Sequence, residues 1–511
     1  MFPFSRSLVL FLTVVCFVAL FWRLVDVRDW PSEAYPTLQY ESALAARSIW
    51  IGISPAAQTP ERLAWRDAVG LEYVVAPPVL PAMVAAIYCL AGEEVPWVSR
   101  ILGTAFWLGG GALIFATGLR LSGSPWAAAL SCAWFVLCPY GMLMSRSFQT
   151  EPVLAFAFAG AVWSLTRPNR TLRWRETLLT GTACGAAAFV KPGILFFPLL
   201  IGFASIIFHW NVPGSRMRKS AHLLAFAALV CIPGTSYALL LLRVHGGRIM
   251  PHLLGELWFY EGVARNACEV VGFPASILAT IGVAMALRAG AYWPLGLMLG
   301  HFATQAVFTF HAATHTYYQV PLLVIGAVAI VWPIAVVERF LKRNDIVPRP
   351  RLGTILLFAG VAGYLLATRQ SNVGPWRWLP ERRAEYERVS VDRRSQAERA
   401  AEIVAVVGHG TRVIELTPGY GYPLQFDGWV RTLKWPSIED RPYLQHAGAI
   451  SQTFSAEEYL GRMVRGGSLR YFVVSDMEEW AQQPDLQAVL AKFGPPLVSN
   501  AVLVIFDLES K

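Results

Sequence analysis

Long apolar runs, separated by short charged gaps, dominate the chain up to about residue 370. A helix that crosses a bilayer needs roughly 17–25 mostly apolar residues. Only 15% of the 511 residues are charged, against roughly a quarter in ordinary soluble domains. The pattern predicts an α-helical multi-pass membrane protein, and it excludes a soluble enzyme, a disordered chain and a coiled coil. We predict eleven spans, at about 7–22, 98–119, 125–143, 152–166, 177–190, 193–209, 221–242, 272–288, 291–310, 321–338 and 353–368.

The basic residues between the runs indicate an orientation. Two short loops, around 144–151 and 311–320, hold one arginine between them. The alternate loops are rich in basic residues, namely Arg120; Arg167, Arg170, Arg173 and Arg175; Arg216, Arg218 and Lys219; Arg288; and Arg339, Lys342, Arg343, Arg349 and Arg351. Because cytoplasmic loops carry the excess of Lys and Arg, we predict a cytoplasmic N-terminus. With eleven spans, the C-terminal tail then lies outside.

The tail has the pattern of a folded soluble domain. From Gln370 onward there are sixteen Lys and Arg against eighteen Asp and Glu, so the net charge of +9 belongs to the membrane part and does not indicate nucleic-acid binding. Three short β-type runs, Thr411–Leu416, Tyr471–Ser475 and Val502–Asp507, alternate with helical periodicity at Ser455–Val464 and Glu478–Lys492. We predict a membrane domain over 1–370, a linker over 371–400 and an external α/β domain over 401–511.

The long external loop, residues 23–97, carries the first candidate acids. Asp29 and Glu33 follow the first span directly, and an apolar piece that ends at Leu90 is predicted to be a juxtamembrane helix. Glu151 opens the run at 152–166, where the helix dipole also favours a carboxylate. By the predicted topology these acids share one face of the membrane. The alternative is that Asp29 and Glu33 are solvated loop residues.

Lys191 lies between two apolar runs that together exceed thirty residues. An ionisable residue in such a place is a candidate for function, and the alternative is a loop lysine whose ammonium reaches the interface. A second cluster follows near the external end of the ninth span. It contains His301, His311, His315, Tyr317 and Tyr318, whose irregular spacing makes a metal site a weak alternative, and no CxxC pair indicates zinc.

The order of these features resembles the GT-C superfamily of membrane glycosyltransferases. The nearest branch is the bacterial family-39-like group, related to protein O-mannosyltransferases and aminoarabinose transferases. The resemblance covers roughly residues 7–340. It rests on Ser32-Glu33-Ala34-Tyr35 after the first span, the run Pro77-Pro78-Val79-Leu80-Pro81, Trp97–Leu102, Ser145-Arg146 with Glu151-Pro152, Val190-Lys191-Pro192-Gly193, and His315–Pro321.

The resemblance implies a function and roles for these residues. Family members move a sugar from a polyprenyl-phosphate donor to an acceptor and have Asp-Glu where this chain has Ser32-Glu33, so Glu33, or upstream Asp29, becomes the candidate base and Glu151 the second acid. Lys191, Arg100 and Arg146 match residues near the donor phosphate. Tyr35, His315, Tyr317 and Tyr318 are the candidate substrate-binding residues. No metal ligand and no required cofactor is implied, although a divalent cation remains open.

The expected partners are the polyprenyl-phosphate sugar, membrane lipid, and a glycan, lipid or protein acceptor, in a bacterial inner membrane with the tail in the periplasm. Such a reaction needs a carboxylate to take the acceptor proton and fixed cations beside the leaving phosphate. Two other classes stay open. One is a multi-pass transporter or flippase, although no inverted repeat is visible. The other is a protein that binds lipid-linked sugar without catalysis, which the missing Asp before Glu33 favours.

Overall fold

The protein divides into two compact units. A computed structural model describes residues 5–25, 27–28, 35–69, 77–166, 173–201, 216–245, 250–291, 293–343, 380–446, 448–451, 453–465 and 469–509. The first unit comprises Met1–Trp30, Val75–Leu80 and Trp97–Leu379. The second comprises Pro31–Val74, Pro81–Pro96 and Pro380–Lys511. The loop 23–97 and the C-terminal tail therefore fall mostly into one unit.

The part of the chain before residue 344 is helical wherever regular structure is described. In chain order the helices are α1 (Arg6–Leu24), α2 (Pro36–Ile53), α3 (Pro60–Val69), α4 (Val79–Ala91), α5 (Val98–Ser122), α6 (Pro125–Leu137), α7 (Pro139–Arg146), α8 (Glu151–Leu165), α9 (Trp174–Val190), α10 (Arg216–His245), α11 (Leu257–Val271), α12 (Phe273–Arg288), α13 (Trp293–Val307), α14 (Thr309–Thr314) and α15 (Val320–Arg343).

Many helix boundaries follow from local sequence. The Ser124 hydroxyl accepts a hydrogen bond from the Ala127 amide at 3.0 Å, and Pro125 occupies the first turn of α6, where its missing N–H costs nothing. The preceding helix α5 ends at Gly123, which has φ 65°. This left-handed conformation is a common helix terminator that glycine adopts without strain. The short gap between α5 and α6 is therefore encoded locally.

Glycines allow the helices of the first unit to pack closely. A Cβ added to Gly111 of α5 would lie 2.5 Å from Cγ2 of Val136 in α6, and one added to Gly300 of α13 would lie 2.6 Å from Cα of Phe197. No real side chain fits such gaps without movement of the neighbouring helix. Close approach through small residues is typical of helices in a membrane, where packing rather than water exclusion drives association.

Four helical segments of the described chain are long and apolar enough to cross a membrane: Arg6–Leu24, Val98–Ser122, Ser220–Tyr237 and Thr316–Leu341. Two bent helix pairs, α6 with α7 and α11 with α12, raise this number to six if each pair is one span. The multi-pass helical architecture is confirmed. The count of eleven spans stays a prediction, and the span predicted at 353–368 lies outside the described residues.

Two helical predictions differ from the structure. The span expected at 125–143 is broken between α6 and α7 with a bend of 56°, since Pro139 disfavours helical geometry at Cys138 and donates no backbone hydrogen bond. Helix α11 was not predicted. It is amphipathic rather than uniformly apolar, so a search for apolar runs passes over it, and it meets α12 at an angle of 97°.

The second unit contains a five-stranded sheet with helices on both faces. Its further helices are α16 (Pro380–Val407), α17 (Tyr422–Gly428), α18 (Asp440–His446), α19 (Ala456–Arg465), α20 (Met477–Ala481) and α21 (Pro484–Leu490), and its strands are β1 (Arg412–Leu416), β2 (Arg431–Lys434), β3 (Tyr471–Val474), β4 (Val498–Ser499) and β5 (Val504–Asp507). The strand order is β2-β1-β3-β5-β4. Strands β1, β2 and β3 are parallel, and β5 runs antiparallel to β3 and β4.

Successive side chains of the strands pack into two separate hydrophobic cores. Ile414 and Phe472 point to the core formed with α19 and α21, whereas Val413 and Val473 point to the core formed with α16 and α17. Because successive side chains of a strand face opposite sides, a sheet covered on both faces favours apolar residues at successive positions. The runs expected at 411–416, 471–475 and 502–507 are thus the strands β1, β3 and β5, and the predicted α/β tail is confirmed.

The second unit also differs from expectation in detail. The helix predicted over Glu478–Lys492 is interrupted between α20 and α21, where Pro484 begins a new helix. Strand β2 follows Trp429 and Val430, a stretch without a clear period-2 pattern, and it was missed. Within the predicted linker 371–400, the residues before Pro380 lie outside the described part, and α16 begins at Pro380. The predicted juxtamembrane helix ending at Leu90 is α4.

Candidate active site

Lys191 and Glu151 meet in the first unit. The Nζ atom of Lys191 donates to Oε1 of Glu151 at 3.3 Å, and the two side chains are 21% and 6% exposed. Local sequence places both groups. Glu151 opens α8, where Pro152 suits the first turn and the helix dipole favours a carboxylate. Pro192 drives Lys191 into an extended conformation, φ −146° and ψ 110°, directly after α9.

Two tyrosine rings flank the ammonium group of Lys191. The Nζ atom lies 4.9 Å from the ring centroid of Tyr317 and 4.5 Å from that of Tyr318. Both separations fall within the range of cation–π attraction. These tyrosines belong to a single helical turn, Thr316–Gln319, which joins α14 to α15. The turn thus places two aromatic rings beside the ammonium group of the Lys191–Glu151 pair.

Gln319 fixes the turn that carries these tyrosines. Its amide oxygen pairs with Nε2 of His301 at 2.9 Å, and its amide nitrogen donates to Oε1 of Gln305 at 2.9 Å and to the Ala312 carbonyl at 3.2 Å. Gln319 is fully buried, and His301 and Gln305 are nearly so. Buried polar groups that satisfy one another define one geometry. Sequence reasoning missed Gln319, because a neutral amide before an apolar run gives little indication of function.

His315 lies at the edge of this cluster. Its ring centroid is 5.3 Å from that of Tyr317 and 5.6 Å from that of His311, and its Nδ1 is 2.7 Å from Oγ1 of Thr314. Burial, together with the neighbouring His311 and Lys191, lowers the pKa of His315 to about 4. The ring is therefore neutral at physiological pH. Among the described residues no group of three His, Cys, Asp or Glu side chains could hold a metal ion.

Arg100 and Arg146 are buried in neighbouring elements. Arg100 lies in the first turn of α5, and Arg146 ends α7 and donates to the Trp22 carbonyl at 2.7 Å. The start of α5 packs directly on the ends of α7 and α8, because a Cβ on Gly103 would lie 2.6 Å from the Ser145 carbonyl oxygen. Both arginines thus come from helix ends that adjoin the end bearing Glu151.

Arg23 is a buried cation that sequence reasoning passed over. Its Nε donates to Oγ of Ser145 at 2.7 Å and its second amino group donates to the Val136 carbonyl at 2.7 Å. These bonds tie the last turn of α1 to α7 and to the last turn of α6. The one indication in the sequence is a basic residue at the end of an apolar run. Basic residues are common at the ends of membrane spans, because cytoplasmic loops carry an excess of Lys and Arg, so Arg23 does not stand out.

The two candidates for the base, Asp29 and Glu33, lie outside the described residues, so their roles stay predictions. Tyr35 is described, in the second unit, and it precedes α2 with φ 46° and ψ 64°. A non-glycine residue in the left-handed region is uncommon and stores strain of order 1–3 kcal/mol.

Of the predicted site residues, the structure brings together Glu151, Lys191, Tyr317, Tyr318 and His315.

Comparisons with known proteins agree with this architecture. Residues 80–245 match the family described as dolichyl-phosphate-mannose-protein mannosyltransferase. No curated protein sequence matches the chain. ArnT from Cupriavidus metallidurans bound to undecaprenyl phosphate is 14% identical with a TM-score of 0.54, over 99% of both chains. The same protein in the apo state is 15% identical with a TM-score of 0.51, over 98% of both chains.

A second solved relative is the Archaeoglobus fulgidus oligosaccharyltransferase, tethered to an acceptor peptide that contains the NVT sequon. It is 14% identical with a TM-score of 0.51, over 95% of this chain and 70% of that one. These relatives and the matched family are glycosyltransferases of the GT-C superfamily. The chain has the GT-C fold. The resemblance predicted from the motifs is confirmed, and the matches indicate a membrane glycosyltransferase.

Proposed function

We propose that this GT-C protein transfers a sugar from a polyprenyl-phosphate-linked donor to an acceptor at the external face of the membrane. The observation that carries the proposal is the Lys191–Glu151 pair flanked by Tyr317 and Tyr318. Lys191 and Glu151 both fall within the region that matches the mannosyltransferase family. A cation held between a buried carboxylate and aromatic rings suits a ligand that is half anion and half apolar.

Lys191 is the proposed contact to the donor phosphate. As the bond to the sugar breaks, negative charge grows on the leaving phosphate, and a fixed ammonium stabilises that charge. Arg100 and Arg146 are proposed as further cations of the same site. The solved structure of ArnT with undecaprenyl phosphate supports this class of donor. No metal is required by the proposal, because these side chains supply the positive charge.

The proposed reaction is a single displacement with inversion at C1 of the sugar. The acceptor hydroxyl oxygen attacks C1 while a carboxylate base, Glu33 or alternatively Asp29, takes the hydroxyl proton. The bond from C1 to the phosphate oxygen breaks, and polyprenyl phosphate leaves with the electron pair. Glu151, the second acid, holds Lys191 in place and acts at the reacting centre. The acceptor is a glycan, a lipid or a protein.

The proposed setting is the bacterial inner membrane. The N-terminus faces the cytoplasm, the chain crosses eleven times, and the C-terminal α/β domain lies in the periplasm. The arginine-rich alternate loops support this orientation. This orientation puts Asp29, Glu33, Glu151 and Lys191 on the external face, where the proposed transfer takes place.

Purified protein in nanodiscs tests the proposal. Undecaprenyl phosphate is titrated for binding, and undecaprenyl-phosphate-linked mannose, glucose, galactose and aminoarabinose are offered with lipid A, envelope glycans and peptides as acceptors. Lys191→Ala is expected to weaken use of the donor by one to two decades in kcat/KM, the worth of roughly 1.5–3 kcal/mol for a hydrogen bond to a charged group. Lys191→Arg should retain part of the activity.

Lys492→Ala is the matched control, because Lys492 forms an exposed ion pair with Glu457 at 2.8 Å. It should behave as the wild type. Binding of undecaprenyl phosphate without transfer from any donor would identify a lipid-linked-sugar-binding protein instead. Movement of the intact donor across the bilayer would identify a flippase. Either result overturns the proposed transfer.

A further inference from the structure

Helix α11 packs on the end of α14, the short helix directly before the turn Thr316–Gln319. Phe259 of α11 is 1% exposed and packs with Ala312 and Ala313 near the end of α14. About one helical turn further along α11, a Cβ added to Gly262 would lie 2.5 Å from the Ala313 carbonyl oxygen. A larger side chain at this position would therefore force the two helices apart.

Asn266 adds two hydrogen bonds to this contact. Its side-chain amide nitrogen donates to the Ala312 carbonyl at 3.1 Å and to the Ala313 carbonyl at 3.0 Å. Asn266 follows Gly262 by four positions, so both lie on the same face of α11. The last four carbonyl groups of a helix have no partner within that helix and need donors from elsewhere. Asn266 supplies donors to two such carbonyls at the end of α14.

The position of Asn266 within α11 also indicates that these bonds matter. Asparagine is a poor residue for a helix interior, because its side chain competes for backbone hydrogen bonds. Asn266 is 4% exposed, and burying an amide is costly unless the group is hydrogen-bonded. The two bonds to α14 offset that cost. Both go to backbone groups, so Asn266 acts through the position of α14.

The Ala312 carbonyl links α11 to the turn that carries the two tyrosines. Besides the bond from Asn266, it accepts one from the side-chain amide of Gln319 at 3.2 Å. Gln319 ends the turn Thr316–Gln319, whose two tyrosine ring centroids lie 4.9 and 4.5 Å from the Nζ atom of Lys191. Two buried side-chain amides, one on α11 and one on the turn, thus share one acceptor. A shift of α14 relative to α11 therefore displaces the turn.

We propose that Asn266 is a positioning residue, which fixes the end of α14 and with it the turn that places Tyr317 and Tyr318 beside Lys191. This inference rests on the proposed function, because it concerns the site where Lys191 meets the donor phosphate. Loss of the two hydrogen bonds releases the end of α14, and the turn moves. The tyrosine rings then no longer hold the ammonium group in place, and the donor lipid binds more weakly.

The test measures the Kd for undecaprenyl phosphate with the full-length protein in nanodiscs, since this measurement needs no known sugar or acceptor. Asn266→Ala removes both donors and should raise Kd about three- to thirtyfold, the range expected for one or two buried hydrogen bonds. Arg265→Ala is one control, because it changes an exposed neighbour on α11. Ser131→Ala is the other, because it removes a buried hydrogen bond from α6 to the Ala327 carbonyl of α15. Both controls should bind like the wild type.

A mutant cycle separates positioning from a general loss of structure. Replacing Tyr317 and Tyr318 by alanine removes the rings, and adding Asn266→Ala should then raise Kd little further, because Asn266 acts through those rings. A full further rise in Kd would show that Asn266 acts by another route, and it overturns the proposal. An unchanged Kd in the single variant Asn266→Ala overturns it as well.

Amide hydrogen exchange over Thr309–Gln319 is the second readout. Asn266→Ala should speed exchange there, and the two controls should not. Where the variant without the rings binds too weakly for the cycle, exchange decides, and an unchanged rate in Asn266→Ala overturns the proposal. If Asn266→Ala does not fold, Gly262→Ala carries the test, because its Cβ would press on the Ala313 carbonyl. Wild-type Kd and exchange in that variant overturn the proposal.

Failure of the proposed function gives a different result. If the wild type neither binds undecaprenyl phosphate nor transfers any sugar offered, the proposed function has failed. The positioning is then judged by exchange over Thr309–Gln319 alone, and an unchanged rate in Asn266→Ala overturns it. If the wild type binds the lipid but transfers no sugar, the proposed transfer has failed, and the Kd values still decide the role of Asn266.

Discussion

The ammonium of Lys191 lies 3.3 Å from the carboxylate of Glu151, and each residue stands at the end of an apolar helix. Helix ends can bring charged groups together at a membrane face without placing them in the hydrocarbon. The flanking turn with Tyr317 and Tyr318 is held by Gln319, so the pair has a defined surrounding. We expect Lys191 and Glu151 to have different roles, in donor binding and in turnover, which variants of the two residues can distinguish.

Substitutions of Lys191 and of Glu151 should have different effects on binding and turnover. Lys191→Ala should weaken binding of undecaprenyl phosphate, whereas Glu151→Gln should retain that binding and lower turnover by roughly 10²-fold or more, because it keeps the shape but removes the charge at the reacting centre. The loss of kcat/KM in the double variant should be smaller than the product of the losses in the two single variants, as expected for residues in contact. Titration and single-turnover kinetics in nanodiscs check this, with the Lys492–Glu457 pair as control. Equal loss of binding in both variants would contradict separate roles.

The base is expected to be Glu33. Glu33→Gln keeps size and hydrogen bonding but cannot take a proton, so turnover should fall by roughly 10²–10⁴ while donor binding is retained. Asp29→Asn should cost far less, since Asp29 follows Arg28 closely enough to be its surface partner. Steady-state kinetics of both variants decide the matter. If the effects are reversed, Asp29 is the base, and if neither slows transfer, neither carboxylate takes the proton.

Sequence reasoning succeeds where a contact leaves a local trace. Lys191 is conspicuous because it interrupts apolar runs, and its neighbour Pro192 ends the helix. Val413 and Ile414 pack into cores on opposite faces of the sheet, so β1 has successive apolar residues rather than an alternating pattern. The strands β1, β3 and β5 of the tail follow from such patterns. The order of the strands in the sheet does not, because pairing joins segments that are distant in the sequence.

The contacts that Arg47 of α2 makes with Glu94 and with the Phe426 carbonyl could not be predicted from the sequence. Arg47 sits in a helix of mixed composition, and its partners Glu94 and Phe426 are 47 and 379 positions away. Periodicity carries no information about contacts at that separation. The ion pair of Lys191 with Glu151, across 40 positions, is likewise not predictable from spacing, and the family resemblance indicates only that both residues belong to one site. Long-range polar contacts are thus what the structure adds to the sequence.

Reporter fusions should establish the orientation of the chain. Fusions after Arg173 and Arg343 are expected to report the cytoplasm, and a fusion after Arg399 the external side, because the arginine-rich loops alternate. A phosphatase active only outside the cytoplasm and a fluorescent protein that matures inside it give opposite readouts. A cytoplasmic C-terminus would contradict the eleven-span prediction. It would also place the C-terminal domain away from lipid-linked sugar at the external face.

Glu415, the fourth residue of β1, should make the C-terminal domain less stable as pH rises. Burial raises the pKa of Glu415 to about 7, although hydrogen bonds from Thr417 and the charge of Lys434 oppose the shift and Asp476 adds to it. Its Oε1 is buried and has no partner among the described residues. The ionised carboxylate is therefore poorly accommodated in the folded domain.

The sign follows from linkage. The folded state binds the proton more tightly than the unfolded chain, whose glutamate pKa is near 4.5. Stability is therefore fully present below about pH 4.5 and is lost as pH rises through about 7, by a total of roughly 3 kcal/mol. Glu415→Gln stays neutral and should be more stable than the wild type at pH 8, with the difference vanishing near pH 4.5. Amide hydrogen exchange of β1 and β3 in the full-length protein measures this, by comparing variant and wild type at each pH. A difference between them that does not change with pH would show that the Glu415 carboxyl is not the titrating group.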